Sequence, residues 1–316
     1  MRQPLCFSQN EHAYTVARAY VTALRHLIPD DCPATLGCMS KEELVQRHCI
    51  DNVQHIFRGA LSAEETETAV TDDRILPGFL CYRSLDALDG PIVGAECRVQ
   101  LLDPQRGIGD MWTIYHQLVE LGWMEEIFTR VAEDSCKIAG RLNQFHISTN
   151  VGRSILLYRD LNGCTFVDRI NAALKRANIS GDHVDLELIE AIPHLEDRHV
   201  EVLQKATQHA IGISIDDCGT GNSAALLREC RDNALPVRTL KMCSGITTGH
   251  ADYQRREVET WMQRADKLAI RSLIFEGSAE SLITPVAIET LQQTRDKMHA
   301  TIPWYIEGPV FPNGTT

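Results

Sequence analysis

Two rhythms of apolar and polar positions divide the chain. Up to about Asp73 the apolar residues recur at helical spacing. Ala13, Val16, Ala17, Tyr20, Leu24 and Leu27 follow the capping-box pattern Ser8-Gln9-Asn10-Glu11, and Val45, Cys49, Val53, Ile56 and Ala60 follow a second, Ser40-Lys41-Glu42-Glu43. Pro29, Pro33 and Gly37 separate the two stripes, and Ser62-Ala63-Glu64-Glu65 predicts a third, shorter helix. From about Gly78 short β-prone runs take over: PIVGAECRVQLL, FHISTNV, VDLELIE, IGISIDD, VRTLKM, RSLIFE and PWYIEG. Segments such as 160–178 and 199–208 lie between them, with apolar residues at helical intervals. Strands alternating with helices predict an α/β fold around a parallel sheet, either a closed barrel or a doubly wound sheet. No G-x-G-x-x-G follows the first strand, so the fingerprint of a dinucleotide fold is missing.

The polar residues fall at the strand ends. Run after run closes on a carboxylate, an amide or an amine: Glu96, Asn150, Glu187, Asp216 with Asp217, Lys241, Glu276 and Glu307. In an α/β barrel the C-terminal strand ends converge on one face, so these residues would form one cluster. Adjacent aspartates at the mouth of a packed core repel each other and lose hydration, which implies a cation for them to hold. Gly219-Thr220-Gly221 after the pair lets the backbone turn sharply. Oxygen donors of this kind suit Mg²⁺ or Mn²⁺, and two such ions about 3.5–4 Å apart clamp a phosphate for in-line attack by water. Lys241 then either orients the water and stabilises transition-state charge or simply pairs with the aspartates.

Composition narrows the field of partners. Among 316 residues, 44% are hydrophobic and 23% charged, as in a globular protein large enough for one large core or two ordinary ones. A net charge of −12 excludes a duplex nucleic-acid binder of the usual basic kind, while metals would reverse the sign locally for a small anionic ligand. No apolar run approaches the roughly 18 residues of a membrane span. The N-terminal segment lacks the apolar core of a secretory signal, and the 11 cysteines form no C-x-x-C pair, which together predict a cytoplasmic protein with reduced thiols.

The motifs that carry the strand ends resemble those of the EAL-domain family, the cyclic di-GMP phosphodiesterases, over residues 79–314. GAECRVQ (Gly94 to Gln100) resembles the GAEAL-x-R signature, STNVG (Ser148 to Gly152) the VNLS strand, and ELIEA (Glu187 to Ala191) the ELTES motif. IDDCGTGNS (Ile215 to Ser223) is similar to DDFGTGYS, LPVRTLKMC (Leu235 to Cys243) to LPVDTLKID, FEGSAE (Phe275 to Glu280) to AEGVE, and YIEGPVF (Tyr305 to Phe311) to QGYLF. The resemblance implies a modified TIM (β/α)8 barrel over residues 76–316, preceded by a small helical region over residues 1–75. It further implies that Glu96, Asn150, Glu187, Asp216 and Asp217 hold two Mg²⁺ or Mn²⁺ ions, that Lys241 contacts the attacking water, and that Glu276 completes the acidic set. Glu190 would brace the loop after Asp217. Such enzymes open cyclic di-GMP to linear pGpG and often work as homodimers.

The sequence departs from the family pattern around the nucleotide. Arg98 replaces the motif leucine, and Gln100 replaces an arginine that usually contacts phosphate. Ile189, Cys218 and Cys243 replace a threonine, a phenylalanine and an aspartate, Glu307 replaces a glutamine, and Ala279 replaces a glutamate whose charge reappears one position on at Glu280. Residues 98 and 100 share one strand face, so Arg98 joins Gln100 and Glu307 as a candidate substrate contact. Two functions are therefore expected. One is metal-dependent hydrolysis of cyclic di-GMP. The other is a catalytically impaired EAL module that acts as a nucleotide receptor or as a regulator of a protein partner held by the N-terminal helices.

Overall fold

The computed structural model describes the backbone of Ile56–Phe57 and residues 60–103, 107–141, 145–265, 268, 270–277, 283–298 and 300–307. The first expected helix, and the second up to residue 55, lie outside these residues. Ten strands run in order: β1 (Ile56–Phe57), β2 (Ile75–Ser84), β3 (Ala87–Asp103), β4 (Gly107–Asp110), β5 (His146–Val151), β6 (Val184–Leu188), β7 (Gly212–Cys218), β8 (Val237–Met242), β9 (Ser272–Glu276) and β10 (Trp304–Glu307). Eight of them close a barrel in the order β3-β2-β10-β9-β8-β7-β6-β5, sealed by parallel pairing of β5 back to β3. β2 is antiparallel to both its neighbours, β3 and β10. The other barrel pairings are parallel. The doubly wound alternative is thereby excluded, and the barrel departs from a regular TIM barrel in its β2 strand.

All seven strands expected from the sequence are present within two or three residues at each end, except that β3 starts four residues early. β2 is the strand the pattern hides. Its run ILPGFLCYRS contains Pro77 and Gly78, and its first eight residues are buried at seven positions, so no alternation shows. The N-terminal stripe also needs correction. Ile56 pairs in parallel with Ile108 of β4, and Ala60 is exposed and non-helical, so neither continues a helix from Val45. Residues 56–57 satisfy their backbone on the free edge of β4, and the chain starts a fresh helix at Ala63–Thr71. That helix carries the expected capping box, Ser62 Oγ accepting from Glu65 N and Glu65 Oε2 from Ser62 N. Its buried Ala69 and Val70 join the barrel core, which ties it to the barrel across the 75/76 boundary.

Helices Met124–Arg141, Phe166–Ala177, Asp197–Gln208, Ser223–Asp232, Ala251–Arg264 and Pro285–Lys297 surround the barrel. Phe166–Ala177 shows why they form where they do. Thr165 and Asp168 make a reciprocal capping box, Lys175 and Arg176 offset the dipole in the last turn, and Asn178 stops the helix at φ 56°. Its Phe166, Val167, Ile170 and Leu174 are buried, each contributing about 1.5–3 kcal/mol of apolar transfer energy. Among the described residues no helix is long and apolar enough to cross a membrane.

Candidate active site

Strand alternation aims every second side chain into the barrel, and the last inward positions of six strands meet at the C-terminal mouth. Lys241 of β8 is at the centre and is fully buried. Its ammonium lies 2.5 Å from Glu187, 2.7 Å from Glu276, 2.9 Å from Glu96, 3.1 Å from Glu307 and 3.4 Å from Asp216. An ammonium has three N–H donors and faces five carboxylates. The shortage is visible: neither oxygen of Glu307, which is fully buried, nor Asp216 Oδ1 has a hydrogen-bond partner.

Asp217 joins the cluster by a local distortion. In a regular strand Asp216 and Asp217 would point to opposite faces. The β7–β8 register slips between Ile215 and Cys218, and Asp217 adopts φ 46°, in the left-handed region that aspartate tolerates better than most residues. Carboxylate oxygens of Asp216, Asp217 and Glu190 consequently lie within 4.8 Å of one another. Glu190 also anchors the following loop: its carbonyl accepts from Asn222 N at 3.0 Å and Nδ2 at 3.2 Å. Gly221, at φ 47°, passes so close to Glu190 that a Cβ there would sit 2.7 Å from Glu190 Cγ.

Glu96 is the most heavily bonded acid. Oε1 accepts from Arg98 Nε at 2.8 Å and from Asn150 Nδ2 at 2.6 Å, while Oε2 accepts from Arg98 Nη2 at 3.0 Å and from Lys241 at 2.9 Å. Gln100 lies elsewhere. Its amide rests on Gly78, where a Cβ would come within 2.8 Å of Gln100 Cδ, and among the described residues no contact joins it to the carboxylates. Arg98 and Gln100 do share a face, but only Arg98 reaches the acids. A supporting chain that sequence reasoning did not single out runs behind Glu187. Ser148 donates to its Oε2 at 2.5 Å, and the Tyr82 hydroxyl lies 2.6 Å from Ser148. The available signal was position, since Ser148 is two residues before Asn150 and therefore on its face.

The protonation pattern follows the charge balance. Burial opposes ionisation of Glu96, but Arg98 and Lys241 outweigh it and hold this carboxyl well below the usual range. Burial pushes Glu187, Glu276 and Glu307 the other way despite Lys241, Glu276 to about 8, with the neighbouring acids adding to the rise. Burial and Asp216 raise Asp217. Lys241 overcomes its own burial through Asp216, Glu187, Glu276 and Glu307 and stays firmly protonated. Cys218 and Cys243, beside the site, are both raised first by burial, which leaves them as unreactive thiols.

These donors fit divalent ions. Glu96, Glu276 and Glu307 form one set of oxygens within 4.8 Å of one another, Glu187, Asp216 and Glu276 a second, and Glu190, Asp216 and Asp217 a third. Seven carboxylates face two cations, Lys241 and Arg98, which leaves a formal charge of −5 when all are ionised, enough to balance two divalent ions. Hard oxygens, unpartnered and crowded, match Mg²⁺ or Mn²⁺ chemistry.

Comparison with known proteins decides the family. The EAL domain family matches residues 63–273. The chain belongs to the EAL domain family. The matched segment takes in the helix Ala63–Thr71 and ends before Glu276 and Glu307, which the barrel itself brings to the mouth. The chain is 26% identical over 166 residues to the bifunctional diguanylate cyclase/cyclic di-GMP phosphodiesterase MucR of Pseudomonas aeruginosa, covering 51% of this chain and 23% of that protein. It is also 26% identical over 183 residues to the cyclic di-GMP phosphodiesterase NbdA of the same organism, covering 55% of this chain and 22% of that protein. The chain thus spans under a quarter of the length of these relatives. Among solved structures, the PaMucR phosphodiesterase in its c-di-GMP complex superposes with a TM-score of 0.62 at 20% identity, over 78% of this chain and 93% of that one. An EAL domain protein from Listeria monocytogenes gives 0.60 at 19% identity, over 78% and 91%.

Proposed function

We propose that this EAL domain hydrolyses cyclic di-GMP to linear pGpG with two divalent ions, Mg²⁺ or Mn²⁺, at the mouth of the barrel. The observation that carries the reading is the surplus of acid around Lys241: five carboxylates lie within 3.4 Å of its ammonium, and Lys241 and Arg98 are the two cations that face them. Glu96, Asn150, Glu187, Asp216 and Asp217 would hold the ions, which when bound activate water and neutralise phosphate charge. Asn150 donates its amide to Glu96 and keeps its carbonyl oxygen for a ligand. Lys241 is locked in its protonated form, so Nζ donates to the attacking water or to charge building on the phosphoryl oxygens and does not act as a base. Glu276, pushed up to about 8, is suited to take the proton that the water loses. Water adds at phosphorus, one ester P–O bond breaks, and the ring opens to pGpG. Glu190 would brace the Asp217 loop, and Arg98 at the rim would meet the substrate's phosphates.

A second reading, a receptor or protein-binding regulator without turnover, is favoured by two observations. Gln100 packs on Gly78 instead of reaching the mouth, and Arg98 occupies Glu96 from both sides. Homodimerisation, a protein partner for the N-terminal helical region of residues 1–75, and a cytoplasmic setting belong to these proposals. A chromatographic time course with cyclic di-GMP and Mn²⁺ separates them. pGpG from the wild type and none from Glu96→Ala establishes the hydrolase, whereas an unchanged nucleotide peak from folded wild-type protein overturns it in favour of the second reading.

A further inference from the structure

We infer that Arg98 is a displaceable counter-ion that competes with divalent metal for Glu96 and so sets the metal affinity of this site. The inference rests on the proposed reading of the carboxylates as a metal centre.

The geometry of Glu96 leads there. A carboxylate has about four lone-pair directions, and all four on Glu96 are filled: two by Arg98, one by Asn150 and one by Lys241. An ion can bind this oxygen pair only if one donor leaves. Lys241 is not the one, since its side chain is 1% exposed and four other carboxylates hold it. Asn150 carries no charge, so its amide does not compete electrostatically with a cation. Arg98 differs from both. Its side chain is 47% exposed against 2% for Glu96, it stands two residues further out on the same strand, and among the described residues Glu96 is the carboxylate it pairs with. It can swing into solvent and leave Glu96 to an incoming ion and Lys241, whereas Lys241 is itself buried and cannot leave.

The fork of Nε and Nη2 on two oxygens of one carboxylate is a strong, oriented contact. A divalent ion carries twice the charge in a smaller volume and displaces it when present in excess, with apparent affinity reduced to the fraction of time that Arg98 is away from Glu96. Removing Arg98 therefore tightens metal binding, even though it removes a group from the proposed phosphodiesterase site. A residue that merely supported the fold, or that helped hold metal, would give the opposite sign.

The test is Mn²⁺ titration, followed by loss of the free-ion EPR signal, on the wild type, Arg98→Leu, Arg98→Lys and Glu96→Ala. Arg98→Leu is expected to bind Mn²⁺ at least about tenfold tighter, the change that follows from an ion pair worth one decade in the equilibrium. Arg98→Lys, which keeps the charge but loses the fork, should fall between the two. Circular dichroism confirms that each variant is folded. Equal or weaker Mn²⁺ binding by both folded Arg98 variants overturns the inference while leaving the metal centre intact. Absence of Mn²⁺ binding in the wild type and in both Arg98 variants overturns the metal reading and the inference together.

Discussion

Strand β6 carries two buried acids, Asp185 and Glu187, two residues apart on the same inward face, and they live in opposite electrostatic worlds. Asp185 points toward the N-terminal end of the barrel, where it accepts from Thr239 Oγ1 at 2.9 Å and faces His146 at 3.5 Å and Arg238 at 4.0 Å. Burial works against its charge, yet His146, Thr239 and Arg238 prevail and its carboxyl is lowered. Glu187 points toward the mouth, shares its one cation with four other acids, and is raised by burial. At the lower end one acid faces an arginine and a histidine, although Asp185 Oδ1 and Arg238 Nη1 lack hydrogen bonds, whereas at the upper end five acids face one ammonium. Packing or charge pairing alone accounts for Asp185, whereas the acids around Glu187 are unexplained until a polycation enters. That contrast, rather than acidity as such, is what the proposed metal centre at the mouth would explain.

The sharpest way to break the contrast is to remove the shared cation. Lys241→Ala should lower pGpG formation by at least about 10³, the scale of losing a preorganised donor to transition-state charge. It should also lower the metal-free melting temperature, because five acids lose their ammonium, and excess Mg²⁺ should restore much of that loss. A melting temperature unmoved by Mg²⁺ would show that the cluster does not bind the ion. At the other end Asp185→Ala should cost up to about 3 kcal/mol of stability by removing the acceptor of Thr239 and the charge facing His146 and Arg238, which keeps Asp182, with Mn²⁺ affinity per folded molecule unchanged. Denaturant titration with and without Mn²⁺ reads both quantities, and a large change in affinity would mean the two ends are coupled.

A milder test of the lower end is Gly212→Ala. The added Cβ would collide with the Asp185 carboxylate and with Arg238 Cδ at 2.7 Å. A loss of about 1–3 kcal/mol is expected from overpacking, again without effect on the mouth. The smallest effect is the pH dependence that the two acids should show with opposite signs. Glu276 has a folded pKa of about 8, above the ordinary glutamate value, so the folded state holds an extra proton and metal-free stability falls as pH rises from about 5 to 8. Asp185 is lowered, so its contribution is present above the ordinary aspartate range and disappears only as pH falls below it. Melting curves across this range should slope downward without metal and flatten with saturating Mg²⁺. A slope unchanged by Mg²⁺ would sink the assignment of that proton to the mouth.

The sequence by itself determined the framework and the cast. Seven barrel strands, the flanking helices, the capping box at Ser62 and the run of polar strand ends were legible because each rests on local periodicity or on a short-range hydrogen bond. Placing those ends at one mouth needed only the rule that parallel strands bring their C-termini together. β2 was not legible, since a strand buried on both faces shows no alternation, and its proline and glycine mimic a turn. Tertiary structure alone decided the rest. Alternation puts Asp216 and Asp217 on opposite faces, and only the left-handed turn at Asp217 and the slip against β8 bring them together. Lys241 was a lysine with two open roles until five acids from five other strands closed around it. The grip of Arg98 on Glu96 depends on a rotamer, and the difference between Asp185 and Glu187 on which residues of β5, β8, β9 and β10 face each one. Apart from the Arg98–Glu96 pair, those are distances between residues 25 to 145 positions apart in the chain, and electrostatic energy depends on such distances, to which sequence periodicity is blind.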